Sequence, residues 1–519
     1  MFADPPLRDQ HLHQIAVSAT QMREIEDRLF DAGMPVAALM EKVALLIVHR
    51  LKEQILTQFA FKPGAKIGVL VGPGNNGGDA LVVARELHFQ GYDLCLYHPL
   101  NQFKELPQQH FNYARALGIV ELESVEALSE CDLIIDGLFG FGLEREISGN
   151  LAQLVETLND GEKPIVSIDI PSGIHTDTGE VLGTAIRATH TFCLGLWKLA
   201  FLQDAAIAYI GKAELIDFDI PWADIEAVLG KHPRLHRVTA ATVKANLPLP
   251  RPPVTHKYKE GHLLVVCGSR KYAGGAILTG LGARGSGVGM LSIAVPESLK
   301  PIVVAQLPEA LTIGCPETAE GAIAQLPKRV QLESYNAIAL GPGLTPEVPS
   351  LVETLLDTET PLVIDADGLN ILAQLNPIAT LAKRRAITVL TPHAGEFKRL
   401  FPEIKGDRLS AVTTAAQQSN AIILLKGSRT AIAHPNGSIW VIPESTPALA
   451  RGGSGDVLTG LLGGLLAQAQ TRELPLENTL ATAAWWHAQA GILAAQQRTE
   501  LGVDAYTLSQ YLIQVLSKL

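Results

Sequence analysis

Two glycine-rich stretches of the chain combine residue types that bind anions and transfer protons. The first, GPGNNGGDA at residues 72–80, follows the apolar run KIGVLV and contains the spacing GxGxxG of dinucleotide-binding turns. Because the first N–H groups of a helix lack intrahelical partners, such a strand, turn and helix together can hold a phosphate. An oxidoreductase would also need an acid at the end of the next strand, to bind a ribose. That strand ends at Tyr97 and His98, and Asp93 stands at its beginning, so the oxidoreductase fingerprint is half present.

Polar side chains interrupt the glycines of this turn. Asn75, Asn76 and Asp79 stand where glycines alone would bind a pyrophosphate. A helix beginning near Gly78 would place Asp79 in its first turn, where the helix dipole favours a carboxylate. Asp79 is therefore either a helix cap or a ligand contact, and this stretch alone leaves both open.

Two later strands also end in acidic residues. The run LIIDGLFGFG gives Asp136, and VSIDIPSG gives Asp169 and Ser172. Carboxyl ends of parallel strands converge on one crevice, so we expect these residues to face one pocket with Asn76 and Asp79. Clustered carboxylates repel one another unless a cation, a proton or hydrogen bonds compensate, and oxygen ligands without His or Cys favour a hard cation over zinc. Singly, each Asp is better interpreted as a loop cap; three coincident strand ends favour a site.

The second glycine-rich stretch is ARGGSGDVLTG at residues 450–460. Its glycines precede a helix whose N–H groups can stabilise charge developing on a phosphoryl group. Asp456 beside them is placed to take a proton from a hydroxyl that receives the phosphate. The chain has no GxxxxGK[ST] segment, which excludes a P-loop ATPase. The alternative is a close-packed helix start with a capping Asp.

Further polar residues follow strand-like runs in the second half of the chain. They are Gly341 and Gly343 in LGPGL, Asp365, Asp367 and Asn370 in IDADGLN, His393 and Glu396 in TPHAGEF, and Lys426 to Thr430 in LKGSRT. A single His is usually a satisfied core or surface residue, and a single Lys is usually solvated. Several polar loops at the ends of one sheet favour a crevice, in which a lysine and hydroxyls suit a nucleotide phosphate.

These loops must be positioned by alternating strands and helices. Strand-length apolar runs occupy 66–72, 94–98, 132–137, 164–170, 190–196 and 212–220, and then 262–268, 291–296, 337–343, 361–368, 386–392, 421–427 and 438–443. Continuous apolar strands separated by helices predict parallel, doubly wound α/β sheets covered on both faces. The Pro-rich LPLPRPPV marks a boundary. We therefore predict domains over 1–225 and 254–519, joined by a Pro-rich linker over 226–253.

Composition narrows the classes of partner. The 519 residues are 47% apolar and 18% charged, with a net charge of −11 and no basic run, which argues against nucleic acid and anionic membranes. The N-terminus lacks the pattern of a secretory signal, and the apolar stretch near the C-terminus is shorter than a membrane span. The five cysteines form no CxxC pair and are predicted to fill the core of a cytoplasmic protein.

The motifs GNNGGD, DGLFGFGL and IDIPSGI, within residues 15–220, resemble the NAD(P)H-hydrate epimerase, a Rossmann-like domain of the NAD(P)H-hydrate repair enzymes. The resemblance implies a potassium ion held by Asn76, Asp136 and Ser172. It also implies contacts with hydrated NADH and NADPH at Asn75, Asn76, Gly77, Gly78, Asp79, Gly140, Phe141, Gly142, Leu143, Glu144, Arg145, Glu146 and Asp169. The pocket would then hold a damaged nicotinamide nucleotide without hydride transfer. Ala80 stands where the family usually has Gly, which should tighten the turn without abolishing it.

The second set of motifs, with HKYKEGHLLVVCGS, resembles the ADP/ATP-dependent NAD(P)H-hydrate dehydratase, a branch of the ribokinase-like fold, over residues 255–515. The resemblance implies substrate contacts at Ala276, Gly343, His393 and Asp456. It implies nucleotide contacts at Lys426, Gly427, Ser428, Arg429, Thr430 and Gly455. Gly368 stands where relatives commonly have Ala, which should matter little.

Together the resemblances imply an enzyme that epimerises the R and S hydrates and dehydrates the S form. ADP would phosphorylate the hydroxyl and yield AMP, Mg²⁺ would neutralise the transferred phosphate, and phosphate would then leave. Asp456 is the candidate base for phosphorylation, and Asp169 the candidate proton-handling residue for epimerisation. We also expect a homo-oligomer. The alternatives are a ribokinase-like vitamin kinase fused to a nucleotide-binding domain, and a regulatory or scaffold module with an inactive first domain.

Overall fold

The computed structural model describes residues 5–100 and 102–519 and divides into two compact units. The boundary lies between Pro233 and Arg234. Each unit is built on a mainly parallel sheet with helices between its strands, which confirms the predicted α/β class. Within the described part of the chain, no helix is long and apolar enough to cross a membrane.

The segment predicted as a linker differs from a simple spacer. Its residues 235–246 form a short strand and a helix that belong to the second unit. The Pro-rich stretch 247–254 itself contains neither strand nor helix. The boundary between the compact units therefore lies about a dozen residues before the prolines, because a three-residue strand leaves no apolar run in the sequence.

The first unit alternates strands and helices from its start. Its strands are β1 (Ala16–Val17), β2 (Lys66–Val71), β3 (Asp93–Tyr97), β4 (Val120–Glu121), β5 (Leu133–Gly137), β6 (Ile165–Ile168), β7 (His190–Leu194), β8 (Trp197–Lys198) and β9 (Lys212–Ile216). Its helices are α1 (Pro5–Leu12), α2 (Ala19–Asp31), α3 (Val36–Leu51), α4 (Asn75–Phe89), α5 (Glu105–Ala116), α6 (Asn150–Asp160), α7 (Ile207–Ile210) and α8 (Trp222–Leu229).

Seven of these strands form one parallel sheet in the spatial order β4-β3-β2-β5-β6-β7-β9. The chain winds from β2 through β3 to β4 and then crosses to β5 on the other side of β2. The switch point of this topology therefore lies between β2 and β5, which is where doubly wound sheets bind ligands. The remaining two strands, β1 and β8, pair in parallel and place Val17 opposite Lys198.

Helix α4 begins at Asn75, three residues earlier than predicted, with Gly74 as its N-cap. Asp79 consequently lies in the second turn of the helix, and its side chain makes no capping hydrogen bond. The turn before the helix is tight, since a Cβ on Gly77 would stand 1.9 Å from the carbonyl oxygen of Gly72. Only glycine fits this approach of the helix start to the end of β2.

The second unit continues the alternation with longer helices. Its strands are β10 (Leu235–Arg237), β11 (His262–Val266), β12 (Met290–Pro296), β13 (Leu311–Cys315), β14 (Ala337–Leu340), β15 (Leu362–Ile364), β16 (Thr388–Leu390), β17 (Ile422–Leu425), β18 (Ala431–Ala433) and β19 (Ile439–Val441). Its helices are α9 (Ala240–Asn246), α10 (Ala273–Gly285), α11 (Lys300–Gln306), α12 (Pro349–Leu356), α13 (Asp367–Leu372), α14 (Pro377–Leu381), α15 (Ala394–Leu400), α16 (Arg408–Ser419), α17 (Ser454–Arg472), α18 (Leu476–Arg498) and α19 (Ala505–Leu516).

These strands form one sheet in the order β10-β19-β18-β17-β16-β15-β14-β11-β12-β13. The pairs β17–β18 and β18–β19 are antiparallel, and the other pairs are parallel. The direction of winding reverses between β11 and β14, which defines the switch point of this unit.

Helices α10 and α17 cross closely beside this switch point. A Cβ on Gly460 would stand 1.8 Å from the carbonyl oxygen of Thr279, and one on Gly282 would stand 2.0 Å from that of Val457. Glycines on both helices thus allow backbone-to-backbone contact, which fixes the start of α17 relative to the sheet.

Candidate active sites

The first site is a cavity of about 860 Å³ at the carboxyl ends of β2, β5 and β6, walled in part by α2 and α3. It brings together most of the predicted substrate contacts: Asn75, Asn76, Asp79, Gly140, Phe141, Gly142, Leu143, Glu144, Arg145 and Asp169. Gly77, Gly78 and Glu146 are not among its lining residues. The two glycines are buried in the helix start, and the Glu146 side chain is exposed.

Asp136, at the end of β5, is fully buried and anchors the loop that follows β6. Its Oδ1 accepts a hydrogen bond from the Ser172 hydroxyl at 2.7 Å, and its Oδ2 accepts from the Ser172 amide at 3.0 Å and the Ser167 hydroxyl at 2.8 Å. Burial raises the pKa of Asp136, and these donors oppose the rise. Ser172 Oγ also accepts from the Phe139 amide at 2.9 Å, so two strand-end loops meet at this pair.

Asn76, the third residue of the predicted potassium site, lies in the first turn of α4. A Cβ built on Gly140 would lie 3.4 Å from the Asn76 side chain, so the helix start packs against the loop after β5. The Asn76 Nδ2 is buried and has no hydrogen-bond partner among the described residues. Because amide oxygen and nitrogen are interchangeable by a flip, the orphaned position suits a carbonyl oxygen facing a cation.

The side chains of Asn76, Asp136 and Ser172 offer oxygen atoms of the kind that suit a monovalent cation. In the described ranges, no group of three or more His, Cys, Asp or Glu side chains is arranged to hold a metal. One carboxylate with hydroxyl and amide oxygens resembles the neutral oxygen cages that replace the hydration shell of potassium. The residues present therefore fit potassium better than a divalent or transition metal.

Asp169 forms a buried ion pair that the motifs did not reveal. Its Oδ1 accepts from the Lys198 ammonium at 2.5 Å, and its Oδ2 accepts from the Phe141 amide at 2.8 Å. Lys198 is 0% exposed and also donates to the Leu194 carbonyl oxygen at 2.5 Å. Burial is the largest single influence on the pKa of Lys198 and would lower it, but the charge of Asp169, its hydrogen bond and smaller contributions from neighbouring groups together raise the pKa. Asp169 has a φ of +69°, a left-handed conformation that Asp tolerates better than most residues.

Two further acids face the same cavity. Glu26, on α2, has its pKa raised to about 7 by burial, with Lys198 opposing the rise and Asp169 adding to it. Burial and the charges of Asp169 and Glu26 raise the pKa of Asp79 well above its ordinary value. Since Asp79 makes no capping contact and lines the cavity, the structure favours the ligand interpretation over the cap.

The second site assembles around the start of α17. The Lys426 ammonium, after β17, lies 2.7 Å from Asp365 Oδ1, after β15. The Thr459 hydroxyl, one turn into α17, donates to Asp365 Oδ2 at 2.7 Å. A Cβ on Gly455 would stand 3.4 Å from the Lys426 ammonium nitrogen, so the helix start and the lysine are adjacent. Asp365 thereby holds Lys426 against the N–H groups of α17.

Asp456 is partly buried beside this network. Its pKa is raised to about 7, chiefly by burial and then by the charge of Asp365, with Lys426 opposing. A carboxylate with a pKa near neutrality can accept a proton and remain ionised at pH 7 in a substantial fraction of molecules. A pKa in this range suits the base role predicted for Asp456.

The remaining predicted residues of the second site have unequal roles. His393 caps α15: its Nδ1 accepts from the Gly395 amide at 2.9 Å, and Glu396 Oε2 accepts from the His393 amide at 2.9 Å. The His393 side chain is 59% exposed, which leaves it accessible to a ligand. Glu396 is mostly buried, and its Oε2 lies 4.0 Å from the Lys426 ammonium nitrogen.

Other residues singled out in the sequence support the loops. Asp367 Oδ2 accepts from the Thr345 amide at 3.1 Å, and Asn370 accepts from the Arg399 guanidinium. Ala276, a predicted substrate contact, is fully buried in this structure. Gly343 adopts a φ of +71° in the loop after β14. The loop 427–430 runs partly exposed from β17 towards β18.

All five cysteines are free and buried, as predicted.

Lys198 and Glu26 are the residues of the first site that motif reasoning missed. Lys198 is the single charged residue in the apolar run FCLGLWKLAFL, and an isolated charge in such a run is a signal of a buried partner. Glu26 leaves no comparable signal, because Glu on an amphipathic helix is ordinarily solvated.

The folds and sites define a class: two doubly wound α/β units on one chain, each with a polar site at its switch point. Two family models match, one described as YjeF-related protein N-terminus over residues 36–200 and one as NAD(P)H-hydrate dehydratase over residues 263–514. The chain belongs to the bifunctional NAD(P)H-hydrate repair enzymes, as the motifs predicted.

Similar proteins extend over nearly the whole chain. The bifunctional NAD(P)H-hydrate repair enzyme Nnr of Synechocystis sp. is 56% identical over 96% of this chain and 94% of its own length. The enzyme of the same name from Thermosynechococcus vestitus is 51% identical over 97% of both chains. The crystal structure of the ADP/ATP-dependent NAD(P)H-hydrate dehydratase from Bacillus subtilis, co-crystallised with ATP/Mg²⁺, is 34% identical with a TM-score of 0.47, and the match covers 54% of this chain and 97% of that one.

Proposed function

We propose that this chain restores hydrated NADH and NADPH in two steps at two separate sites. The first unit interconverts the R and S hydrates, and the second dehydrates the S hydrate with ADP, giving NAD(P)H, AMP and phosphate. The observation that carries the proposal is that each compact unit has its own ionisable group with a pKa near 7 beside a hydrogen-bonded lysine–aspartate pair. Acid–base chemistry at neutral pH needs such groups.

In the first unit, the loops after β2 and β5 bind the substrate. The turn before α4 offers N–H groups to a phosphate, and the residues from Gly140 to Arg145 form the adjacent wall. Potassium would be held by Asn76, Asp136 and Ser172, where it would neutralise charge and brace the strand-end loops. Asp169 and Lys198 orient the hydroxyl-bearing carbon and stabilise charge there.

In the second unit, Asp456 takes the proton of the substrate hydroxyl while that oxygen attacks the terminal phosphate of ADP. Lys426 and the N–H groups at the start of α17 stabilise the negative charge on the transferred phosphoryl group. Phosphate then leaves as the ring nitrogen donates its electron pair, and loss of a proton from the adjacent ring carbon forms the carbon–carbon double bond of NAD(P)H and returns the pair to nitrogen. Mg²⁺ binds to proteins through one or two carboxylates together with substrate phosphates, and Glu396 offers such a carboxylate beside Lys426. The ion would supply charge neutralisation.

The remaining site assignments are made on the family resemblance. Ala276, Gly343 and His393 contact the hydrate, and Lys426, Gly427, Ser428, Arg429, Thr430 and Gly455 contact the nucleotide. A homo-oligomer and a cytoplasmic location stay predictions, which sedimentation of the purified protein and fractionation of cells would check.

The proposal is tested by incubating the full chain with mixed R and S hydrates of NADH and with ADP, and following the absorbance of restored NADH. Both hydrates should be consumed, the R form at the rate of its conversion to S. Repeating the assay with ATP settles the donor. No restoration, together with a stable phosphorylated vitamin alcohol from a panel of such substrates, would contradict the proposal and favour the kinase alternative.

A further inference from the structure

Glu26 reaches the first site from helix α2, outside the strand-end loops that carry the motifs. The helix start is fixed by a capping box, in which Ser18 Oγ accepts from the Gln21 amide at 3.1 Å and Gln21 Oε1 accepts from the Ser18 amide at 3.0 Å. The Ala19 amide donates to Asp177 Oδ1 at 2.7 Å, which ties the helix to the loop after β6. These contacts set the rotation and height of α2 over the cavity.

The pairing of β1 with β8 links this helix to the buried ion pair. Val17 lies opposite Lys198, and α2 begins two residues after Val17. Glu26 follows two turns into the helix, on the side next to the buried Ile25, and lines the cavity that Asp169 also lines. The position of Glu26 relative to the Asp169–Lys198 pair is therefore set by backbone hydrogen bonds.

The Glu26 carboxylate has no hydrogen-bond or ion-pair partner among the residues that the structure describes. The charged groups that act on it are Arg23 and Asp27 on its own helix, and Lys198, Asp169 and Asp79 from the opposing elements. Asp169 differs, because both of its oxygens already accept hydrogen bonds. An acid that lines a cavity without a partner is available to a ligand.

We propose that Glu26 is the catalytic acid and base of epimerisation, acting directly on the hydroxyl of the hydrated nicotinamide ring. This inference rests on the proposed function of the first unit. The Asp169–Lys198 pair then serves as a fixed charged support, and proton transfer falls to Glu26.

The step balances as a reversible loss of water. Protonated Glu26 gives its proton to the hydroxyl, the carbon–oxygen bond breaks with its electron pair leaving on the water, and the ring nitrogen donates its lone pair to form a carbon–nitrogen double bond. The nicotinamide ring then rotates about its glycosidic bond so that its other face meets Glu26. Water adds to that face, the nitrogen recovers its pair, and the Glu26 carboxylate takes the proton of the adding water. Nothing is oxidised or reduced, and Glu26 returns to its starting form.

The protonation state that begins this step is available at neutral pH. Burial raises the pKa of Glu26 to about 7, so both forms are populated there. Asp79 also lines the cavity, and burial together with the charges of Asp169 and Glu26 raises its pKa well above the ordinary value, so the test below includes an Asp79 variant.

The test measures conversion of the R to the S hydrate by the full chain without nucleotide, as a function of pH and with spontaneous conversion subtracted. The wild-type rate should fall about tenfold per pH unit above a pH of about 7 as Glu26 loses its proton. Glu26→Gln should lower the rate by about 10²–10⁴-fold and remove this alkaline fall. Glu26→Asp should be slower than wild type and keep it.

Controls separate this role from a structural one. Glu24→Gln, at an exposed position on the same helix, should leave rate and pH profile unchanged. Dehydration of the S hydrate by Glu26→Gln should match wild type, as should the thermal unfolding of the first unit. If Glu26→Gln keeps the wild-type rate and pH profile, the role of Glu26 is wrong while the proposed function stands. The same conclusion follows if Asp79→Asn loses the decrease in rate above about pH 7 and Glu26→Gln retains it. A wild-type chain that converts neither hydrate would overturn the proposed function itself.

Discussion

Replacing Lys198 by methionine removes the cation that neutralises the buried Asp169 carboxylate. Methionine has a similar length and no charge, so the change isolates the electrostatic contribution. Lys198 is 0% exposed and Asp169 is 3% exposed, and their charged atoms lie 2.5 Å apart. Without Lys198, Asp169 keeps one hydrogen bond, from the Phe141 amide, and stands as an uncompensated buried charge.

The size of the effect follows from this burial. Breaking a buried ion pair by removing one partner costs about 3–5 kcal/mol. For a unit of this size, 1 kcal/mol shifts the unfolding temperature by about 2–4 °C, so Lys198→Met should lower it by about 6–20 °C. Epimerisation should be lost as well, since the charged support of the site is gone.

Differential scanning calorimetry of the full chain measures the loss, with dehydration of the S hydrate as evidence that the second unit is intact. The matched control is Lys212→Met, because Lys212 is an exposed lysine 3.1 Å from Glu214, where an exposed pair contributes about 0–1 kcal/mol. Adding Asp169→Asn to Lys198→Met should recover most of the stability, since both charges are then absent, but none of the epimerisation. An unfolding temperature for Lys198→Met equal to that of the control would refute the reasoning.

Further predictions concern the second unit. Asp456→Asn should lower dehydration by about 10²–10⁴-fold and leave the interconversion of the hydrates unchanged, which chromatography of both hydrates would check. Because the ionised form of Asp456 is the base and its pKa is raised to about 7, wild-type dehydration should rise with pH and reach half its plateau near pH 7. Asp365→Asn removes a negative charge that raises this pKa, so the pH–rate profile should move to lower pH. Gly460→Ala places a Cβ 1.8 Å from the carbonyl oxygen of Thr279 and should destabilise the second unit by about 1–3 kcal/mol in calorimetry.

The sheets were predictable where their strands are buried on both faces. Runs such as KIGVLV and HLLVVCG became β2 and β11, because a central parallel strand must be apolar throughout. The strands that sequence analysis missed include β4, β10, β13 and β18. β4, β10 and β13 lie at sheet edges and are exposed or partly exposed, and β18 has only three residues, so hydrogen bonding to a neighbour defines them more than an apolar pattern does.

The start of α4 was predicted three residues too late, for a different reason. Glycines lower helix propensity, so the run NNGGD predicts a helix that begins after them. In the structure the helix begins at Asn75, because the close packing of Gly77 against Gly72 offsets the low helix propensity of the glycines. The earlier start places Asp79 in the second turn, where it lines the cavity, and so bears on the two alternatives that the sequence left open.

The candidate sites were predictable to the extent that strand ends supply them. Asp136 lies at the end of β5 and Asp169 follows β6, so the convergence of strand ends places both at one edge of the sheet, whereas Asp456 is recognisable from the glycines that precede α17. Lys198 and Glu26 depend on a pairing between segments 181 residues apart in the chain, Val17 with Lys198, which no local pattern encodes.

Because β1 and β8 pair through only two residues each, the number of residues between Val17 and Glu26 decides whether the Glu26 carboxylate faces the cavity. A helix turns about 100° for each residue, so one residue inserted between Val17 and Glu26 would rotate the carboxylate away from the cavity while every side chain kept its identity. Homologous domains grafted or trimmed at this point would retain a complete set of strand-end loops and still present the acid to the wrong surface.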